Sequence, residues 1–137
     1  MLARVVSAAK TVGHTLLVSD DPALAARFDV GHVPDPGGGQ GPAVAAAVAA
    51  ARSLPVVVVN ADLPRATPAD LDALAAAAPA LVAAADGTTN ALSLTHPAAF
   101  RPLYGPGSAR RFEAAGLRPV ELPNLAADVD TLADLAA

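Results

Sequence analysis

A chain of 137 residues has single-domain length, enough to bury one core with helices on both faces of a sheet. Its net charge of −4, with only nine Lys and Arg, argues against nonspecific nucleic-acid binding, which needs clustered cations, but leaves room for a nucleotide carried with a divalent cation. The absence of cysteine excludes disulfides and thiolate metal sites, and no run reaches the roughly 18 apolar residues of a membrane span, so a cytoplasmic protein with no nucleic-acid and no membrane partner is expected.

In chain order, Leu2 to Thr11 reads as a helix and Thr15 to Ser19 as a short β-type run. Asp21-Pro22 is a helix start, with Asp as cap and Pro at the first helical position; that helix runs to about Phe28. Val30 to Val33 is a short strand, Pro34 to Pro42 a Gly/Pro loop, and Ala43 to Arg52 an alanine-rich helix. Pro55 to Val59, with four consecutive valines, reads as a central strand buried on both faces. Thr67-Pro68-Ala69-Asp70 opens a helix that ends near Ala78-Pro79. Ala80 to Ala85 and Ala91 to Thr95 are strands around a polar loop, Ser108 to Ala115 a helix stopped by Gly116, Val120 to Leu122 a last strand, and Thr131 to Ala136 a closing helix. This alternation predicts a single α/β domain over residues 1–137, with a mostly parallel sheet between two helical layers. The chain opens on a helix where such folds open on a strand.

Ligands of open α/β sheets bind beyond the carboxyl ends of the strands, and four polar clusters fall there. Asn60-Ala61-Asp62 follows the valine strand and offers an oxygen ligand for Mg²⁺; the competing reading is a solvated or capping acid. Asp128-Val129-Asp130 places two acids on one side of an extended chain, although Asp130 equally suits a cap for the final helix. Tyr104-Gly105-Pro106-Gly107-Ser108 leads into a helix and suits a small phosphorylated or carboxylated ligand, with Arg110 or Arg111 adding charge; a turn with a Ser cap is the commoner role of such a lone motif. Gly87-Thr88-Thr89-Asn90, taken alone, is a turn, and the glycines up to Gly41 either line a phosphate or join two elements. His14, His32 and His96 have no metal-ligand spacing, and Ser19 and Ser93 lack the partners of a hydrolase triad.

The order of these clusters carries more than any one of them. Ser19-Asp20-Asp21-Pro22, the Gly-rich loop, Ala61-Asp62-Leu63-Pro64, Gly87-Thr88-Thr89-Asn90-Ala91-Leu92, Phe100, Tyr104-Gly105-Pro106-Gly107-Ser108 and Asp128-Val129-Asp130-Thr131 together resemble the 2-phospho-L-lactate / phosphoenolpyruvate guanylyltransferase family of coenzyme F420 biosynthesis. The resemblance spans essentially the whole chain. It implies a three-layer, Rossmann-like nucleotidyltransferase fold that joins GTP to phosphoenolpyruvate or 2-phospho-L-lactate and releases pyrophosphate. It also implies Mg²⁺ on Asp62 and Asp130, with Asp128 and Asn60 as further ligands, and the phosphorylated acid on Thr89, Gly105 and Ser108. Gly39 and Gln40 would meet the nucleotide. Three departures stand out: the family's first strand and basic loop are absent from these residues, Gly39-Gln40-Gly41-Pro42 replaces a Gly-Leu-Asn turn, and Asn60 stands where an acid would strengthen the metal site. Two alternatives follow. One is a short form that binds a phosphorylated acid or a partner chain, compatible with a homodimer through exposed sheet edge. The other is a related nucleotidyltransferase with a different acceptor.

Overall fold

The computed structural model describes residues 2–51 and 55–128. The elements in chain order are α1 (Leu2–Val12), β1 (Leu16–Ser19), α2 (Pro22–Phe28), β2 (Gly31–Pro34), α3 (Gln40–Ala50) and β3 (Val56–Val59). They continue with α4 (Pro68–Ala76), β4 (Ala80–Ala83), β5 (Thr89–Leu94), a 3₁₀ turn at Pro97–Ala99, α5 (Ser108–Ala114), β6 (Arg118–Pro119) and α6 (Pro123–Ala126). Among the described residues no helix is long and apolar enough to cross a membrane.

The helix starts are those that local chemistry dictates. Asp21 caps α2 by accepting from the Ala23 amide, with Pro22 as first helical residue. Thr67 and Asp70 form a reciprocal capping box that satisfies two otherwise orphaned amides at the start of α4. α3 begins three residues earlier than its alanine run suggests, at Gln40. The last strand lies at Arg118–Pro119 rather than at Val120 to Leu122, because those later residues turn into α6. The expected closing helix from Thr131 lies outside the described residues.

The strands form two groups. β1 and β2 pair in parallel, and the other four follow the order β3-β5-β4-β6. β4 and β6 are parallel, whereas β5 runs antiparallel to both β3 and β4. The expected parallel character holds for β3, β4 and β6, with one reversed strand threaded between them. The four valines are not the buried centre. β3 pairs only with β5 among the described residues, and each valine is half-buried; the fully buried strand is β5, all six of whose residues are shielded. The sequence pattern misassigned this position because an apolar run reports hydrophobicity, not the number of neighbours.

Two-residue alternation divides the side chains of the four-stranded group between two cores. Val57, Val59, Ala80, Val82 and Ala91 face α1, α4 and α6, packing with Val5, Leu71, Leu74 and Leu125. Val58, Leu81, Ala83, Leu92 and Leu94 face α5, packing with Phe112, Leu117 and Tyr104. Helices thus cover both faces, and α2 and α3 pack on β1 and β2.

The alternation breaks once. Pairing passes from Val82↔Ala91 directly to Ala83↔Thr89, so Asn90 is an extra residue in β5, a β-bulge. In a regular strand Thr89 would share a face with Ala91. With the bulge, Thr89 joins Ala83 on the α5 face, while Asn90 points to the α6 face. Leu92 lies at the centre of the α5-facing core with no exposed surface. Leu92→Ala is expected to lower unfolding free energy by about 2–5 kcal/mol in chemical denaturation; a loss below half of the lower figure would show that the core collapses around the gap.

Candidate functional site

Thr89 and Ser108 meet behind the bulge. Their hydroxyl oxygens are 2.9 Å apart, both residues being buried, and either can donate. Ser108 is not a helix cap: the cap position of α5 is Gly107, and no side chain caps there. The Ser hydroxyl is directed at Thr89, and the amide of the next residue, Ala109, donates to the Gly87 carbonyl. The two Gly-rich motifs, separate in sequence, are therefore one structure. The loop between β4 and β5 is stiffened by Asp86, whose carboxylate accepts from the hydroxyl and amide of Thr88; these bonds hold its pKa below the ordinary value.

From Thr89 a line of amides runs toward α3. The Thr89 carbonyl accepts from Asn60 Nδ2, which fixes the orientation of that side chain, and Asn60 Oδ1 accepts from Gln40 Nε2 at 2.7 Å. Gly39 and Gln40 thus stand at the end of β3, beside the residues expected to hold the acid and the metal. Asn60 has one oxygen lone pair already engaged, leaving a weaker ligand than a carboxylate would be.

Asp62 lies two residues beyond Asn60. Its Oδ1 is shut off from solvent and has no hydrogen-bond partner among the described residues, which is costly for a carboxylate. Burial is the main influence raising its pKa above 3.8; a bond from its own backbone amide opposes this, and the nearby charge of Asp128 adds to the rise. Two carboxylates close enough to repel, one with an orphaned oxygen, suit a divalent cation, which would relieve both penalties. Asp130 lies outside the described residues, and among those described no three acidic or imidazole side chains gather.

Asn90 ties down the segment that leads to Asp128. From the bulge its Nδ2 donates to the carbonyls of Leu125 and Ala126, 3.1 and 3.2 Å away. Asn124 adds a second tie, donating to the Asp70 carboxylate of the capping box. Asn90 stands within the Gly87-Thr88-Thr89-Asn90 motif, where the sequence alone gives it no role. The available signal was chemical: an amide in a buried strand must find partners. The histidines behave as expected. His32 Nε2 contacts the Ser19 carbonyl and His96 Nδ1 accepts from Ala98, both local structural bonds, and His14 is exposed. Ser93 is likewise structural, donating to the Leu74 carbonyl. Cavities of about 260 and 340 Å³ lie elsewhere, between α1 and the start of α4 and between α3 and the 3₁₀ turn.

The chain belongs to the MobA-like NTP transferase domain family, whose model matches residues 1–121. Within it, the chain is 40% identical to the phosphoenolpyruvate guanylyltransferase of Thermomonospora curvata over 92% of its own length, and 38% identical to that of Geodermatophilus obscurus over 98%. It spans 62% and 69% of the lengths of those two relatives. The family resemblance carried by the ordered motifs is borne out. The fold matches a crystal structure of an Aquifex aeolicus protein with a TM-score of 0.67 at 16% identity, covering 95% of this chain and 78% of that one. It also matches a Desulfovibrio desulfuricans protein assigned as a nucleotide-diphospho-sugar transferase, with a TM-score of 0.64 at 20% identity, covering 98% and 71%.

Two outcomes follow from this geometry. Asn90→Ala leaves two carbonyls without their donor and is expected to cost about 1–3 kcal/mol of stability, with α6 amides exchanging faster; unchanged exchange there would refute the anchoring role. Asp62 binds its proton more tightly folded than unfolded, so its ionisation destabilises the cation-free protein as pH rises from the ordinary carboxylate range toward neutrality. Asp62→Asn should therefore raise the melting temperature of the cation-free protein at pH 7, and a lower melting temperature would contradict this electrostatic account.

Proposed function

We propose that this chain is a guanylyltransferase that transfers GMP from GTP to phosphoenolpyruvate, or to the closely similar 2-phospho-L-lactate, in coenzyme F420 biosynthesis. The observation that carries the reading is the buried Thr89–Ser108 hydroxyl pair at the same region of the sheet as the Asp62 and Asp128 carboxylates. The names of the curated relatives support the substrates, and a cytoplasmic setting and a homodimer belong to the same reading.

In this reaction a phosphate oxygen of the acid attacks the α-phosphorus of GTP, the bond to the β-phosphate oxygen breaks, and pyrophosphate leaves. No nucleophilic side chain is required; the protein must place the reactants in line and neutralise charge. One hydroxyl of the bonded Thr89–Ser108 pair donates to the other, and the remaining hydroxyl hydrogen goes to the anionic acid, which Gly105 lets the backbone approach. Asp62 and Asp128, with Asp130, would hold Mg²⁺, which would supply neutralisation of the triphosphate charge. Gln40 and Gly39 sit on the nucleotide side, and Asn60 links them to Thr89.

The test is pyrophosphate release from GTP, Mg²⁺ and phosphoenolpyruvate or 2-phospho-L-lactate. Ser108→Ala should raise the KM for the acid about 10- to 100-fold, with the KM for GTP little changed. Asp62→Asn should raise the Mg²⁺ concentration needed for activity and reduce kcat at least about tenfold. Soluble, folded protein that releases no pyrophosphate with either acid would reject catalysis by this chain.

A further inference from the structure

Of Arg110 and Arg111, either of which could add charge to a ligand site, Arg111 is turned into the protein's own loop. Its Nε and Nη2 donate to the Leu103 carbonyl at 3.1 and 2.9 Å, Nη1 donates to Pro106 at 2.7 Å, and Nη2 also reaches Tyr104 at 3.2 Å. One guanidinium therefore gathers three carbonyls from a four-residue stretch, a task for a planar fork that a point-charge ammonium cannot reproduce. The two glycines of the loop are matched to it. Gly105 and Gly107 have φ of 113° and 74°, and a Cβ at either would lie 3.7 or 3.4 Å from the guanidinium nitrogens.

Trans peptide geometry adds the functional consequence. The carbonyl and the following N–H of a peptide plane point in opposite directions. With the Tyr104 and Pro106 carbonyls drawn to Arg111, the amides of Gly105 and Gly107 must turn away from it. Among the described residues neither amide donates to a backbone carbonyl or a side chain. The same loop delivers Ser108 to Thr89.

We propose that Arg111 is a positioning residue for the phosphorylated-acid site: bonded to the carbonyls of Leu103, Tyr104 and Pro106, its guanidinium sets the backbone of that loop, so that the Gly105 and Gly107 amides and the Ser108 hydroxyl are held ready for an anion that Arg111 itself does not touch. This rests on the acid-site reading given above. It also explains the local sequence, in which two glycines precede by six and four residues an arginine one turn into the helix.

The test compares Arg111→Lys and Arg111→Ala with the unaltered full chain. Three quantities are measured: hydrogen exchange of the Ser108 amide, which donates to the Gly105 carbonyl, phosphoenolpyruvate binding by calorimetry with Mg²⁺ present, and melting temperature. Both variants are expected to exchange this amide at least about tenfold faster and to bind the acid about tenfold more weakly, with little change in melting temperature. Millimolar guanidinium should restore binding to Arg111→Ala but not to Arg111→Lys, whose ammonium occupies the space. Unchanged exchange in Arg111→Ala overturns the proposal. So does wild-type affinity in Arg111→Lys beside weak binding in Arg111→Ala, since that pattern means a direct charge contact. Unaltered protein that binds no phosphoenolpyruvate overturns the acid-site reading itself, an outcome visible before any substitution is made.

Discussion

One inserted residue in a buried strand decides where the polar groups of this protein meet. Asn90 breaks the two-residue alternation of β5, and the strand then serves both faces of the sheet within two positions. Thr89 goes to α5 and Ser108; Asn90 goes to the carbonyls of α6. Restoring the regular register would carry Thr89 into the apolar cluster of α1 and α4 and separate it from its hydroxyl partner. The bulge is held because the Thr89 hydroxyl and the Asn90 amide nitrogen find partners where they lie, and an unpartnered buried hydroxyl or amide would be expensive.

Around this strand the site is assembled mainly from neutral groups. Gln40, Asn60, the Thr89 carbonyl, the Thr89 hydroxyl and Ser108 form a continuous line across α3, β3, β5 and α5. Such a line stiffens the strand ends without placing charge in the interior. The exception is Asp62, whose orphaned oxygen and acidic neighbour are a local cost to the empty protein. That cost is intelligible if the pair is built for a cation, since the burial and repulsion that disfavour ionised Asp62 are what a bound divalent ion would relieve. Arg111 is turned the other way: its charge is engaged by the backbone carbonyls of its own loop, which it shapes.

Much of the fold was legible in the residues. Pro22 and Pro68 mark helix starts because a proline lacks the amide that the first turn leaves unused, and Asp21 and Thr67 announce the caps before them. Strand positions were legible from apolar runs, but strand neighbours were not. Val56 to Val59 looked central and lie half-buried beside a single partner among the described residues, whereas β5, containing Thr, Asn and Ser, is the buried one. Its polar residues hide its centrality from a hydrophobicity pattern, because each is satisfied by a group at least 19 residues distant in sequence. The Ser108 hydroxyl likewise reads as a cap locally and becomes a buried partner only through a contact that the sequence does not announce.

By itself, the sequence determined the local elements, the family through its ordered motifs, and the inventory of acids, hydroxyls and glycines from which a site can be made. These depend on short-range chemistry: caps, turns and the order of residues along the chain. Tertiary structure alone decided that Asn90 is a bulge, that Asp128 stands near Asp62, that Asn60 is tied to Gln40, and that Arg111 faces its own loop. Each of these is set by register or by a hydrogen bond whose partner is chosen in space, and a shift of one residue in a strand exchanges which face a side chain serves.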